Sequence, residues 1–262
     1  MHNFDFVKPS TIADAVKALK AEGAQALSGG QTLVASMKQR LAAPATLVSL
    51  TGIAEMKGVC LGDGGLHVGG ATPHADVARE AARHYPALAA LAGGIGDPQV
   101  RNRGTLGGSI ANDDPAACYP AGVLGSGATV VTDRRRIAAD DFFQGLFTTA
   151  LHAGEIVTSV VFPIPQAAAY EKFDQPASRF ALTGVFVAKY ADGVRVAVTG
   201  AGGDGVFRWT EAERALSANF SASAIAGLSV DPSGLIHDLH GTPEYRANLV
   251  KVLTARAVQA AG

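Results

Sequence analysis

Ser28-Gly29-Gly30-Gln31-Thr32 stands between a short apolar run, residues 24–27, and a stretch in which Leu33, Val34, Met37 and Leu41 recur at helical spacing as far as Pro44. Strand, glycine loop and helix in that order let backbone N–H groups and a helix start hold a diphosphate, with glycine permitting the close approach. A lone Gly-Gly pair serves equally as a tight strand-to-helix turn. A second stretch, Arg101-Asn102-Arg103-Gly104-Thr105-Leu106-Gly107-Gly108-Ser109-Ile110-Ala111-Asn112-Asp113-Asp114-Pro115, shifts the balance. It joins small residues, hydroxyls, amides and carboxylates with little that could form a core, and such a segment is costly to order without a polar ligand. No Gly-Lys-Ser/Thr follows it and it lacks the GxGxxG spacing, so it is neither a Walker loop nor a Rossmann fingerprint.

Outward from these loops the chain alternates strands and helices. Phe4-Asp5-Phe6 reads as an edge strand, Ser10 as the N-cap of a helix burying Ile12, Ala15, Val16 and Leu19, and residues 46–50 as a strand. Asp63-Gly64-Gly65 turns a hairpin over residues 60–68. Helices follow at 75–83 and 86–92 and in the Ala-rich stretch after Pro115, with strands at 128–132 and 156–162. Pro163 and Pro165 cannot continue a central strand and mark a domain boundary, which gives residues 1–163 and 166–262. Beyond it Ala191-Asp192-Gly193 turns a second hairpin, and helices start near Thr210 and Pro243.

The 262 residues suit two domains. With 22 basic against 23 acidic residues there is no electrostatic footprint for nucleic acid or an anionic membrane. Cys60 and Cys118 stand far apart without a CxxC pair, so the chain cannot build an iron–sulfur cluster or zinc site itself. His67, His74 and His84 lack ligand spacing, and no metal is expected. The N-terminus carries no signal-peptide pattern and no stretch reaches membrane-spanning length, which predicts a soluble cytoplasmic protein.

Residues 29–44 and 96–109, with Asp114-Pro115-Ala116-Ala117-Cys118-Tyr119-Pro120-Ala121, resemble the FAD-binding medium subunits of molybdenum hydroxylases, nearest to the carbon monoxide dehydrogenase branch. The likeness extends over nearly the whole chain, through Gly154-Glu155-Ile156-Val157, Tyr170-Glu171-Lys172-Phe173 and Glu244-Tyr245-Arg246. It implies an α+β fold: a two-lobed FAD-binding domain of the vanillyl-alcohol-oxidase type, lobes about 1–52 and 53–163, then a small domain of antiparallel strands and helices. It also implies noncovalent FAD, a small partner carrying 2Fe-2S clusters, a large partner carrying the molybdenum cofactor, and a dimer of heterotrimers.

By that resemblance Ser28, Gly29, Gly30, Gln31 and Thr32 wrap the diphosphate, mostly through backbone donors. Thr105, Leu106, Gly107, Gly108 and Ser109 form the second wall, Ile95 and Val157 make apolar contacts, and Lys172 makes a polar one. Cys118 stands where many relatives carry an acid, and Asp113 or Asp114 is placed to compensate. No nucleophile–base pair is evident, which fits a protein whose cofactor carries the chemistry. Arg134-Arg135-Arg136 reads as a solvated turn, Trp209 as packing, and Tyr170 and Phe173 as either core or ring contacts. A self-contained flavin oxidase or dehydrogenase, and a nonredox module of the same fold, are the rival readings.

Overall fold

A computed structural model describes residues 1–262. Its first layer is a small parallel sheet with Thr46–Ser49 between Asp5–Val7 and Ala24–Leu27. The helix Ile12–Ala18 covers it and contributes Ala15 to a core with Val48, Ile53, Met56 and Ile156. That helix is capped by Thr11, whose side chain accepts from Asp14 N at 3.1 Å, rather than by Ser10. The helix after the first loop is Leu33–Lys38 and ends before Leu41, which is exposed.

An antiparallel sheet follows, in the order Val59–Gly62, Gly65–Gly69, Val157–Phe162, Thr129–Thr132, Arg136–Ala138. The predicted hairpin is there, but Arg134-Arg135-Arg136 is more than a solvated turn. Arg136 begins a strand, and Arg135 Nε lies 3.0 Å from the carboxylate of Glu155, whose side chain is fully buried.

The third sheet, antiparallel throughout, runs Ala167–Asp174, Ala181–Tyr190, Gly193–Thr199, Phe207–Arg208. Its long strand reads as continuously apolar because both faces are covered. Val185 and Val187 point into a core with Trp209 and the helices Thr210–Ala218 and Pro243–Ala261. Phe186 and Ala188, on alternate positions, join the other core with Leu91, Tyr119 and Phe162. The segment after the proline pair thus shares a core with the segment before it. Helix Cys118–Gly125 is wedged between them, and Gly125 lets it approach, since a Cβ there would lie 2.9 Å from Phe186 Cδ1.

Tyr170 and Phe173 lie on Ala167–Asp174, with Tyr170 packed on Phe186 and Phe173 edge-on to Tyr245. No helix is long and apolar enough to cross a membrane.

Candidate cofactor cleft

The two loops meet. Ser28 Oγ and Thr105 Oγ1 are 2.7 Å apart, and Gly29 passes so near Arg103 and Gly104 that a Cβ would overlap the Arg103 carbonyl oxygen. Between and around them lies a cleft of about 420 Å³. Strand Ala24–Leu27 delivers the first loop to it, and the helix Leu106–Asn112, capped by Thr105, carries the second.

The loops differ in their hydrogen-bonding capacity. In the second, Leu106 N donates to Thr72 O, Gly107 N to Gly70 O and Ser109 N to Thr105 O, while Gly108 N reaches Thr105 Oγ1. Its amides are used up within the protein. In the first, no backbone N–H from residue 28 to residue 33 donates to any protein acceptor. Gly30 takes φ +71°, which turns the run, and successive unpaired N–H groups of this kind form an anion-binding nest. Free backbone donors are therefore found in the first loop, whereas the second supplies shape and side chains.

The glycines also allow close packing within the protein. A Cβ on Gly107 would meet Gly70 O at 2.7 Å, and one on Gly30 would meet Val34 Cγ2 at 2.9 Å. Both admit neighbouring protein.

Ser28, Gly29, Gly30, Gln31, Thr32, Ile95, Thr105, Gly107, Gly108, Ser109, Asp114 and Val157 all line the cleft. Two predicted residues do not. Leu106 is fully buried in the main core, because position N1 of its helix faces the sheet. Lys172 lies behind the wall, donating to Gly94 O and Arg179 O at 2.8 Å each and pairing with Asp174 at 2.7 Å. Gln31 turns its amide onto its own loop, donating to Gly29 O at 3.1 Å.

Sequence reading misses His74, Asn112, Glu155 and the Ser178-Arg179-Phe180 segment. His74 is buried with Nδ1 unpaired, and burial, then the charge of Arg101, holds it neutral by lowering its pKa to about 4. Asp113 is buried in a left-handed conformation, φ +45°, with Oδ1 unpaired. Desolvation, with the charge of Asp114 added, raises its carboxyl to about 7. Asp114 Oδ1 accepts from Ala116 N at 2.9 Å and shapes the turn into the Cys118 helix. Burial pushes the Cys118 thiol up, so this residue presents a neutral SH to the cleft.

Glu155 is ionised in spite of burial. Desolvation opposes its charge, but hydrogen bonds from Arg135, His152 N and Thr132 outweigh it and bring the pKa to about 2. An unpaired N–H run for an anionic group, apolar patches at Ile95, Val157 and Phe180 for a ring, and hydroxyl and amide groups between them fit a dinucleotide.

The family model described as FAD binding domain in molybdopterin dehydrogenase matches residues 2–165. The chain belongs to that family. It is 34% identical to the nicotine 6-hydroxylase medium subunit of Paenarthrobacter nicotinovorans, over 98% of this chain and 96% of the relative. It is 31% identical to the carbon monoxide dehydrogenase medium chain of Afipia carboxidovorans, over 99% and 96%. Among solved structures it superposes on a chain of carbon monoxide dehydrogenase from Hydrogenophaga pseudoflava with TM-score 0.88 and 30% identity, covering 99% of this chain and 97% of that one. The α+β architecture and FAD as cofactor are those of the family, whose members are components of oxidoreductases.

Proposed function

We propose that this chain is the electron-relay subunit of a multisubunit molybdenum hydroxylase. Bound FAD would take electrons from 2Fe-2S clusters on a small partner chain and pass them to an external acceptor, while the substrate is oxidised at a molybdenum cofactor in a large partner chain. The flavin supplies the redox chemistry when bound, and this chain's residues bind it, orient it and shield it. The observation that carries the reading is the unpaired N–H run at residues 28–33, set against a second wall whose amides are already satisfied. The two cysteines support the division of labour, since Cys60 is exposed, Cys118 is buried, and no cluster of metal-ligating residues exists.

We divide the chain into a two-lobed FAD-binding domain, about 1–52 and 53–163, and a C-terminal domain, 166–262. The change of sheet between Phe162 and Ala167 and the end of the family match at residue 165 support that division. Assembly as a dimer of heterotrimers in the cytoplasm belongs to the same proposal.

Reconstitution of the purified chain with FAD, followed by absorbance and flavin fluorescence, tests the reading. The expected result is stoichiometric, noncovalent FAD that organic substrates do not reduce without partner chains. A folded chain that binds no FAD refutes the cofactor assignment, and rapid reduction by an organic substrate in the isolated chain refutes the relay role.

A further inference from the structure

Three cations converge on one short turn of the cleft wall. Lys172 Nζ donates to Gly94 O at 2.8 Å, Arg101 Nη1 donates to Ile95 O at 3.1 Å and to Gly96 O at 2.9 Å, and Arg179 Nη1 donates to Gly96 O at 3.4 Å. Ile95, Gly96 and Arg179 line the cleft. The carboxylate in ion-pair contact with this group is Asp174, on the outer, half-exposed side of Lys172. On the inner side stands Cys118, 5% exposed, with Sγ 3.8 Å from Lys172 Nζ. A thiol adds no charge there. The wall therefore carries three cations against two carboxylates, Asp174 on the outside and Asp97, whose Oδ1 caps the short helix that carries Arg101, next to apolar Ile95, Phe180 and the small Ala116-Ala117 pair.

A wall with an excess of positive charge matters most to a ligand whose charge changes in use. Two-electron reduction of a flavin takes up two electrons from the donor and one proton from solvent, leaving the ring system one unit more negative. A nearby cation therefore stabilises the reduced form over the oxidised one. We propose that the Cys118 end of the cleft receives the flavin ring, and that the Lys172–Arg101–Arg179 group, to which the thiol at position 118 adds no negative charge, raises the reduction potential of the bound cofactor. This rests on the FAD reading above. Cys118 acts through the charge balance of the wall, as a residue that sets potential rather than one that reacts.

The test uses the full chain loaded with FAD and equilibrated anaerobically with reference dyes. In Cys118→Asp a carboxylate would lie against Lys172 and cancel one charge, and a unit charge about 10 Å away at an effective dielectric near 20 changes an equilibrium roughly tenfold. The preference for reduced over oxidised flavin should fall by about that factor, a potential lower by about 30 mV for a two-electron couple. Arg179→Asn, which tolerates the left-handed backbone at φ +60° while removing a cation, should shift the potential the same way. Cys60→Asp makes the same charge change on an exposed strand outside the cleft and should leave the potential at the wild-type value.

The dissociation constant for oxidised FAD is measured alongside. A wild-type chain that fails to bind FAD overturns both readings. Normal binding with unshifted potentials in Cys118→Asp and Arg179→Asn overturns the present one alone, and Arg179→Asn decides the matter if the aspartate variant does not fold.

Discussion

Replacing Gly29 by alanine asks whether the two loops form one site. The added Cβ would overlap Arg103 O and stand 2.6 Å from Gly104 Cα. Both obstacles are backbone, and both are fixed: Gly104 N donates to Val100 O at 2.7 Å, and Gly104 O accepts from His74 N at 2.9 Å. No side chain can rotate away, so relief requires the loops to separate by about an ångström, in the range where overpacking costs roughly 1–3 kcal/mol. That separation stretches the 2.7 Å bond between Ser28 and Thr105 beyond bonding range. A hydrogen bond of this kind contributes about 0.5–1.5 kcal/mol. The two costs arise from one displacement and do not simply add; a loss of about 2 kcal/mol in apoprotein stability is expected. Urea unfolding should show it as a lower midpoint with an unchanged slope.

Bound FAD needs the loops in their original spacing, so its affinity should fall by about 10- to 30-fold at roughly 1.4 kcal/mol per decade. Ser28→Ala isolates the hydroxyl term and should weaken FAD by less than about tenfold. A Gly29→Ala variant with wild-type urea midpoint and wild-type FAD affinity would refute the coupling of the loops.

Three further outcomes follow from the charges and close contacts. Glu155→Gln should cost on the order of 2 kcal/mol at neutral pH, the range for hydrogen bonds to a buried charge. Because the folded-state pKa of Glu155 is lowered to about 2, its stabilisation is full above the ordinary value near 4.5 and is lost as pH falls through about 2, so the variant's acid unfolding should be flatter across that window. Asp113 has the opposite sign. Its folded-state pKa is raised to about 7, so its contribution is full below the ordinary value near 3.8 and declines as pH rises through 7; Asp113→Asn, which also suits φ +45°, should melt higher than wild type at pH 8 and close to it at pH 4. Gly125→Ala should lower stability by about 1–3 kcal/mol, read from thermal or urea unfolding, because its Cβ would press on the buried Phe186 ring.

Much of the fold is legible in the sequence because local signals and tertiary demands agree. Asp63-Gly64-Gly65 and Asp192-Gly193 turn where hairpins form, and Pro86 opens a helix at its first position. Disagreements arise where two residues offer the same chemistry or where packing decides. Ser10 and Thr11 are both caps by composition, and only the path of the chain gives Asp14 N to Thr11. Leu41 continues a helical spacing but has no surface to cover, so the helix stops at Lys38.

For the site, the glycine loops and Ile95, Val157 and Asp114 can be named because they are local motifs or matched positions. Arg179 and Phe180 cannot, since they reach the cleft only after the third sheet folds back on the helix Cys118–Gly125. The same folding takes Lys172 behind the wall, where its three backbone and side-chain acceptors are stronger attractions than the open cleft.

The contrast between the loops says how the cleft is built to be ready for its ligand. Every amide of residues 106–109 is satisfied internally, so that wall is set before anything binds and pays no ordering cost on association. Residues 28–33 have no such partners, and in the free protein water must serve them. An anionic group that takes several of these N–H groups at once replaces that water without breaking any protein hydrogen bond. Their conformation is meanwhile held from outside the ligand, by the Ser28–Thr105 contact and by the close passage of Gly29 under Arg103. The rigid loop positions the donor loop, and that is why a methyl group added at Gly29, which touches no ligand, should be felt in the binding constant.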